Sequence, residues 1–218
     1  ERRLGYEVNV HGIRNVCEIV ADSEEIKGMV LTGTWHVIGE VGLSGLVNEE
    51  FGFRPDKVET RARYYALTKM AQEATVRLYA HMFEKVFGVI RLGTVLGNLM
   101  PTETAAQIFI TKGLTGQPLT PYRTSMYRPM LYVDVRDVCK AFERFIDLSL
   151  AGKIGEDKGN NVVNVYSPYP VTVLELSETV RDLIAELSGG AVKPQIKIVE
   201  DGQTSLFTPE DKNCYVGD

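Results

Sequence analysis

The sequence predicts an α/β fold in which a parallel sheet is flanked by helices. Two short apolar runs, at residues 29–32 and 88–93, have the length and composition of buried strands. A helical stretch from about 62 to 87 lies between them, and this strand–helix–strand order is typical of a βαβ unit. Because open α/β sheets place their chemistry at the carboxyl ends of the strands, we expect the polar loops after both strands to form a site.

The rest of the chain continues this alternation of strands and helices. The loop at 33–60 is long for a compact domain, which is typical of a functional segment, and a polar linker follows at 152–160. The further predicted helices cover about 6–21, 101–112, 135–150 and 171–187, and the further predicted strands cover 131–133, 161–166 and 195–199.

Tyr65 and Lys69 are the most informative pair of residues. A spacing of four places both side chains on one face of the predicted helix. An ammonium beside a phenol favours the phenolate and lowers the pKa of the phenol, which makes a general base that works near neutral pH. Ten tyrosines make such a spacing common by chance, so the pair gains its meaning from the motifs around it.

Composition limits the classes of function. The chain has 218 residues, 44% hydrophobic and 24% charged, as a globular protein does. A net charge of −5 argues against a broad nucleic-acid surface. The three cysteines, at 17, 139 and 214, lack the spacing of a metal or redox site, so we expect no metal and a reducing cytoplasm. No apolar run approaches the roughly 18 residues of a membrane span.

Several motifs occur in a recognisable order. They are Asn9–Val16 (Asn-x-x-Gly-x-x-Asn), the hydroxyl loop 32–39, the segment Asn48-Glu49-Glu50 with Pro55, Tyr65–Lys69–Glu73 (Tyr-x-x-x-Lys-x-x-x-Glu), Arg91 with Gly97, and residues 136–141. Together they resemble the extended short-chain dehydrogenase/reductase family, which holds NAD-dependent nucleotide-sugar epimerases and dehydratases. The resemblance implies a Rossmann-like sheet with a small C-terminal substrate-binding lobe.

The resemblance also implies the catalytic roles. Tyr65 would take a proton from a substrate hydroxyl while hydride passes to the nicotinamide of NAD or NADP. Lys69 would lower the pKa of Tyr65 and bind the nicotinamide ribose, and Thr34 would hydrogen-bond the substrate oxygen, although a turn-forming role is the alternative for Thr34. The implied cofactor-binding residues are Asn9, Thr32, Tyr65, Lys69, Leu92 and Val95. Asn9 could instead satisfy the backbone at a helix start, and Thr32 could be a plain strand-end residue.

The implied substrate-binding residues lie in three segments. They are Thr34, Trp35, His36, Thr94, Asn98 and Arg128. Arg128 suits a sugar-nucleotide phosphate because its fork donates two parallel hydrogen bonds, with a surface ion pair as the alternative. Trp35 could wall the pocket or fill the core. We expect Glu73 to be a structural partner of Lys69 at i, i+4.

Three functions remain open at this point. The first is an epimerase or dehydratase that acts on a nucleotide sugar. The second is a reductase of a hydrophobic carbonyl, because Thr94 stands where nucleotide-sugar members commonly have Asn. The third is an inactive fragment or an interaction module that needs a missing half.

The same resemblance predicts the domain organisation. Residues 1–97 correspond to the C-terminal part of a dinucleotide-binding domain, and residues 98–218 mainly to the substrate lobe, interleaved with the sheet. No glycine-rich turn follows an N-terminal strand here, so we expect an internal fragment, or one piece of a split protein, that lacks an N-terminal segment. A homodimer through the Tyr/Lys helix is expected, with Leu78, Met82 and Phe83 as candidate contacts that could equally be core residues.

Overall fold

The structure is a computed structural model that describes residues 2–43, 47–154 and 161–214. Its helices are α1 (Arg2–Tyr6), α2 (Ile13–Asp22), α3 (Arg63–Met82), α4 (Ala105–Leu114), α5 (Val135–Leu150) and α6 (Val173–Leu187). Its strands are β1 (Gly28–Thr34), β2 (Val86–Leu92), β3 (Thr94–Leu96), β4 (Pro129–Met130), β5 (Tyr132–Asp134), β6 (Val162–Val165) and β7 (Val171–Thr172). A π-helix, Glu7–Gly12, joins α1 to α2, and 3₁₀ turns occupy Trp35–Ile38, Pro55–Lys57 and Asp211–Cys214.

The chain divides into two compact units. The first contains Glu1–Val41, Asn48–Gly93 and Val135–Tyr166, and the second contains Gly42–Val47, Thr94–Asp134 and Ser167–Asp218. Helix α5 and strand β6 thus belong to the first unit, although both follow residue 97 in the chain.

The first unit is built on the parallel sheet β1-β2-β6. Gly28 to Thr34 of β1 pair in register with Val86 to Leu92 of β2, and β2 pairs in turn with β6. A core between this sheet and helices α2 and α3 consists of Ile13, Cys17, Val20, Leu31, Val76, Ala80, Phe87, Val89 and Val162. This arrangement confirms the prediction of a Rossmann-like parallel sheet with flanking helices.

Helix α5 covers the opposite face of the same sheet. Side chains alternate between the two faces of a strand, so Gly88 faces away from the core that holds Phe87 and Val89. A Cβ at Gly88 would lie 2.2 Å from the ring of Phe145 on α5, and only glycine permits this approach.

Helix α3 ends five residues earlier than the pattern predicts. The chain turns at Phe83, whose ring stacks on Tyr79 and lies near Phe87. Lys85 then donates hydrogen bonds to the carbonyls of Val20 and Ser23, at the end of α2. These tertiary contacts replace the last helical turn with the start of β2.

The second unit is held by helices α4 and α6. Thr104 caps α4, and Thr172 forms a capping box with Glu175 at the start of α6. The core beneath these helices contains Ala106, Phe109, Leu119, Val173, Leu176, Val180 and Ile184.

The predicted strand at 195–199 is wrong as a regular strand. Only isolated parallel bridges form there, between Leu119 and Ile196 and between Tyr122 and Val199. Pro121 lies between the two bridges and has no N–H to donate, so the ladder is interrupted at that residue.

Candidate active site

The candidate site lies where β1 ends, at the carboxyl edge of the sheet. Strand β1 delivers Thr32 and Thr34 to this edge, and Thr34 then caps the 3₁₀ turn by accepting a hydrogen bond from the backbone N–H of His36 at 3.4 Å. Leu92 of β2 stands opposite Thr34 in the register. Tyr65 and Lys69 reach this edge from successive turns of α3.

Tyr65 contacts the hydroxyl loop through its phenol. The Thr34 hydroxyl forms a side-chain hydrogen bond with Tyr65, and the ring of His36 lies edge-on to the Tyr65 ring, with 6.2 Å between centroids. Thr34 is buried, whereas Tyr65 retains 46% of its surface. The hydroxyl beside the phenol is thus held in the interior, while part of the Tyr65 residue stays accessible.

The pKa of Tyr65 differs from the expectation. Burial raises this pKa above its ordinary value, and the hydrogen bond from Thr34 opposes the increase. The pKa is therefore not lowered as expected, because desolvation of the phenol outweighs the hydrogen bond from Thr34.

Lys69 is held by two neutral oxygen atoms. Its Nζ donates a hydrogen bond to the carbonyl of Thr32 at 2.7 Å and a second one to Oε1 of Gln72. Burial lowers the pKa of Lys69, and the Glu73 carboxylate partly opposes this effect. The ammonium is thus fixed at the end of β1, beside the loop that carries Thr34.

Asn9 is connected to the same helical turn through Thr68. Its Nδ2 donates to Thr68 Oγ1 at 3.0 Å, and the Thr68 hydroxyl donates to the Tyr65 carbonyl at 2.8 Å. Asn9 lies inside the π-helix and not at a helix start, so it has a different role from the capping alternative. Single π-helical turns within α-helices are frequent at functional sites.

Trp35 and His36 have different surroundings. Trp35 is only 1% exposed and its ring stacks on His36, which favours the core role over a pocket wall. His36 is partly exposed, and its Nδ1 lies 3.6 Å from the buried carboxylate of Glu40.

Glu73 has a different main partner from the one expected. Its carboxylate is bound by Arg91, with Nη2 to Oε1 at 2.6 Å, and both side chains are buried. Arg91 also donates to the carbonyls of Glu49 and Phe51. The expected partnership with Lys69 is thus reduced to an electrostatic influence on the pKa of Lys69.

The remaining predicted residues belong to the second unit. Thr94 and Val95 lie in β3, which pairs with β5, and Asn98 lies in an exposed turn next to Leu99, whose φ is 67°. Arg128 lies near Tyr132, where its charge partly opposes the burial that raises the pKa of Tyr132 to about 12.

Two polar residues of α3 were not found by sequence reasoning. Thr68 and Gln72 are buried, and each binds a predicted site residue. Gln72 is three residues beyond Lys69, so the helical spacing alone was a signal that the two could meet.

Metal-binding groups and membrane-spanning helices are two further features that bear on function. The part of the chain that the structure describes holds no group of three or more His, Cys, Asp or Glu that could bind a metal ion. Within the same residues, no helix is both long and apolar enough to cross a membrane.

A profile of the NAD dependent epimerase/dehydratase family matches residues 2–165. No match was found among curated proteins.

Solved structures with the same fold include three nucleotide-sugar enzymes. A dTDP-glucose 4,6-dehydratase from Bacillus anthracis, in complex with NAD, is 23% identical, with a TM-score of 0.69 over 96% of this chain and 62% of that one. A UDP-glucose 4-epimerase from Thermotoga maritima, with UDP-glucose, is 20% identical, with a TM-score of 0.68 over 95% and 62%. A UDP-glucuronic acid 4-epimerase from Bacillus cereus, with UDP-glucuronic acid and NAD, is 19% identical, with a TM-score of 0.65 over 95% and 59%. The chain thus spans less than two thirds of the length of each.

Proposed function

The chain belongs to the NAD dependent epimerase/dehydratase family, and from this premise we propose that it carries the catalytic residues of an NAD-dependent enzyme that acts on a nucleotide sugar. One observation supports the proposal most strongly. The phenol of Tyr65, the hydroxyl of Thr34 and the ammonium of Lys69 gather where β1 ends.

The residues present fit the nicotinamide-ribose end of the cofactor. The Lys69 ammonium is oriented by its hydrogen bond to Thr32 and could donate to ribose hydroxyls. Thr32 is exposed beside it near the end of β1. The sequence holds no glycine-rich turn after a strand that would receive the pyrophosphate, so these residues account for one end of the cofactor only. We assign Asn9, Thr32, Lys69 and Leu92, all in the first unit, to the nicotinamide-ribose end of the cofactor.

Tyr65 would act as both base and acid in the reaction. As the phenolate, its oxygen takes a proton from a sugar hydroxyl, and as the phenol it later returns that proton. The hydrogen bond from Thr34 stabilises the phenolate before the proton is taken and after it is returned. When bound, NAD supplies a hydride acceptor and a positive charge. That charge and the ammonium of Lys69 both favour the phenolate, and so oppose the effect of burial on the pKa of Tyr65.

His36 would face the substrate beside Tyr65. Its ring lies against the phenol and is partly exposed, which suits a group that contacts a sugar hydroxyl. In the second unit we assign Thr94, Asn98 and Arg128 to the nucleotide sugar and Val95 to the cofactor. Arg128 is the candidate for a phosphate.

The test is turnover by the full-length protein and its Tyr65→Phe variant. With UDP- or dTDP-glucose and NAD, we expect an epimerised or dehydrated nucleotide sugar, measured by chromatography. Loss of general acid/base catalysis should lower kcat by about 10²-fold or more, with NAD affinity preserved because the ring remains. Near-normal turnover by Tyr65→Phe would remove Tyr65 from the mechanism.

The same experiment distinguishes the two other functions. Oxidation of NADPH by a hydrophobic ketone, with no turnover of nucleotide sugars, would select the carbonyl reductase. Failure to bind any dinucleotide would select the interaction module.

We also propose a homodimer through α3 and its neighbours. Leu78 and Met82 of α3 are 55% and 59% exposed, and Val16 and Ile19 of α2 are exposed as well. Apolar side chains on two adjacent helices form a surface that a second copy of the chain could bury.

A further inference from the structure

Lys69 has three N–H donors, and two of them have acceptors among the residues that the structure describes. One N–H binds the carbonyl of Thr32 at the end of β1, and a second binds Oε1 of Gln72. A lysine ammonium donates only, so Gln72 must present its amide oxygen and not its nitrogen. With two directions fixed, the third N–H is also fixed in direction.

Gln72 is a polar residue in a buried position of α3. It is one of the few polar side chains of α3 that are buried, with 9% of its surface exposed. Burial of an amide costs free energy unless it is hydrogen-bonded, so its contact with Lys69 compensates for that cost.

A neutral acceptor differs from a carboxylate in its electrostatic effect. A carboxylate at position 72 would bind the ammonium more strongly, but it would also cancel the positive charge. An amide oxygen orients the ammonium and adds no negative charge of its own. The neighbouring residue, Glu73, is directed instead to Arg91 at 2.6 Å.

We propose that Gln72 is a positioning residue, whose amide oxygen aims the Lys69 ammonium at the cofactor without pairing its charge. The effect on the cofactor rests on the proposed function, whereas the effect on Lys69 itself does not. Gln72 acts through Lys69, so it is not a catalytic residue.

The test compares two substitutions of nearly equal length in the full-length protein. Gln72→Met removes the acceptor, and Gln72→Glu keeps an oxygen there but adds a negative charge. Gln107→Met on α4 is the matched control, because Gln107 binds Thr111 in the second unit and does not touch Lys69. Lys69→Met identifies the signal of Lys69 in the NMR spectrum of ¹³C-labelled lysine.

The expected changes of the Lys69 pKa have opposite signs. Gln72→Met should lower this pKa, since a hydrogen bond to the charged form is lost, and Gln72→Glu should raise it, since a negative charge is added. Gln72→Met should also weaken NAD binding about 10-fold in calorimetry, the scale of a hydrogen bond to a charged group. Gln107→Met should change neither quantity.

One result would overturn the proposal, and another would contradict only the proposed role of Lys69 in cofactor binding. If the Lys69 pKa stays unchanged in both Gln72 variants, Gln72 does not position Lys69. If the pKa moves in opposite directions while NAD affinity is unchanged, also in Lys69→Met, Gln72 positions Lys69 but Lys69 does not serve the cofactor. The second result would contradict the proposed role of Lys69 in cofactor binding. It would still support the conclusion that Gln72 orients Lys69.

Discussion

Two charged residues one turn apart on α3, Lys69 and Glu73, are held in opposite ways. Glu73 is 1% exposed and its carboxylate forms a buried ion pair with Arg91, which is fully buried. Arg91 also binds two carbonyls of the segment at 49–51. Lys69 is only partly buried and is bound by the neutral oxygens of Thr32 and Gln72.

The difference separates an anchoring charge from an available one. A buried ion pair fixes the segments it joins, because either charge alone would be costly in the interior. A charge that neutral acceptors hold keeps its electric field, which can act on a ligand or on the phenol of Tyr65. The same helix thus provides one charge for the fold and one for the proposed chemistry.

Arg91→Met should have the largest effect on stability. It would leave the Glu73 carboxylate buried without its main partner, so we expect a loss of about 3–5 kcal/mol in the free energy of unfolding. Chemical denaturation measures this quantity. The double variant Arg91→Met/Glu73→Met is the control, and it should recover much of the loss. A single variant that loses less than about 1 kcal/mol would contradict the anchoring role.

Lys69→Met should affect binding more than folding. We expect NAD affinity to fall roughly 10–100-fold, the scale of a lost hydrogen bond from a charged group. The folded state should tolerate the change, because burial of the ammonium lowers the pKa of Lys69 and so disfavours its charged form. If Lys69→Met lowered stability as much as it lowers NAD affinity, Lys69 would be a structural charge like Glu73, and the distinction between the two residues would be wrong.

The contribution of Lys69 to stability should depend on pH, and the direction of its lowered pKa gives the sign of that dependence. Because the pKa of Lys69 is lowered on folding, the unfolded chain binds more protons between that lowered pKa and the ordinary value of 10.5. The wild type should therefore gain stability relative to Lys69→Met as the pH rises through this window. A difference that is constant over the window would contradict the lowered pKa.

Thr34→Val should move the activity profile along the pH axis. The Thr34 hydroxyl lowers the pKa of Tyr65 and opposes the effect of burial, so its loss should raise that pKa. Activity that requires the phenolate should then begin at higher pH, which kcat measured against pH would detect. Thr34→Ser is the matched control and should restore the profile. An unchanged profile in Thr34→Val would show that Thr34 does not act through Tyr65.

Leu78→Glu should have the smallest effect on the folded protomer. Leu78 is largely exposed, so stability of the protomer should change by no more than about 0.5 kcal/mol. If α3 forms the proposed dimer, analytical ultracentrifugation should show the wild type as a dimer and this variant as a monomer. If the wild type is a monomer in this experiment, the dimer proposal is wrong. The comparison of Lys69 with Glu73 does not depend on that result.

The sequence predicted the elements whose signals are local. The βαβ order, the spacing of Tyr65, Lys69 and Glu73, and the exact span of α5 follow from periodicity and composition over short windows. The hydroxyl residues next to the first apolar run were also visible in the chain itself, although β1 continues through Thr34 and does not end at residue 32 as predicted. These features require no knowledge of distant residues.

Other features of the site depended on contacts between distant segments. Asn9 meets Thr68 across 59 residues of sequence, from within a π-helix that no local pattern indicated. The burial of Trp35 likewise depends on which elements surround it.

By itself, the sequence determined the family, the α/β class and the order of Tyr65, Lys69 and Glu73 along one helix, since these depend on residue type and spacing. Only the tertiary structure decided that Glu73 is neutralised by Arg91, that Lys69 is held by Gln72, and that burial raises the pKa of Tyr65. The physical reason is that desolvation and pairing are sums over neighbours in space, and a linear chain does not specify those neighbours.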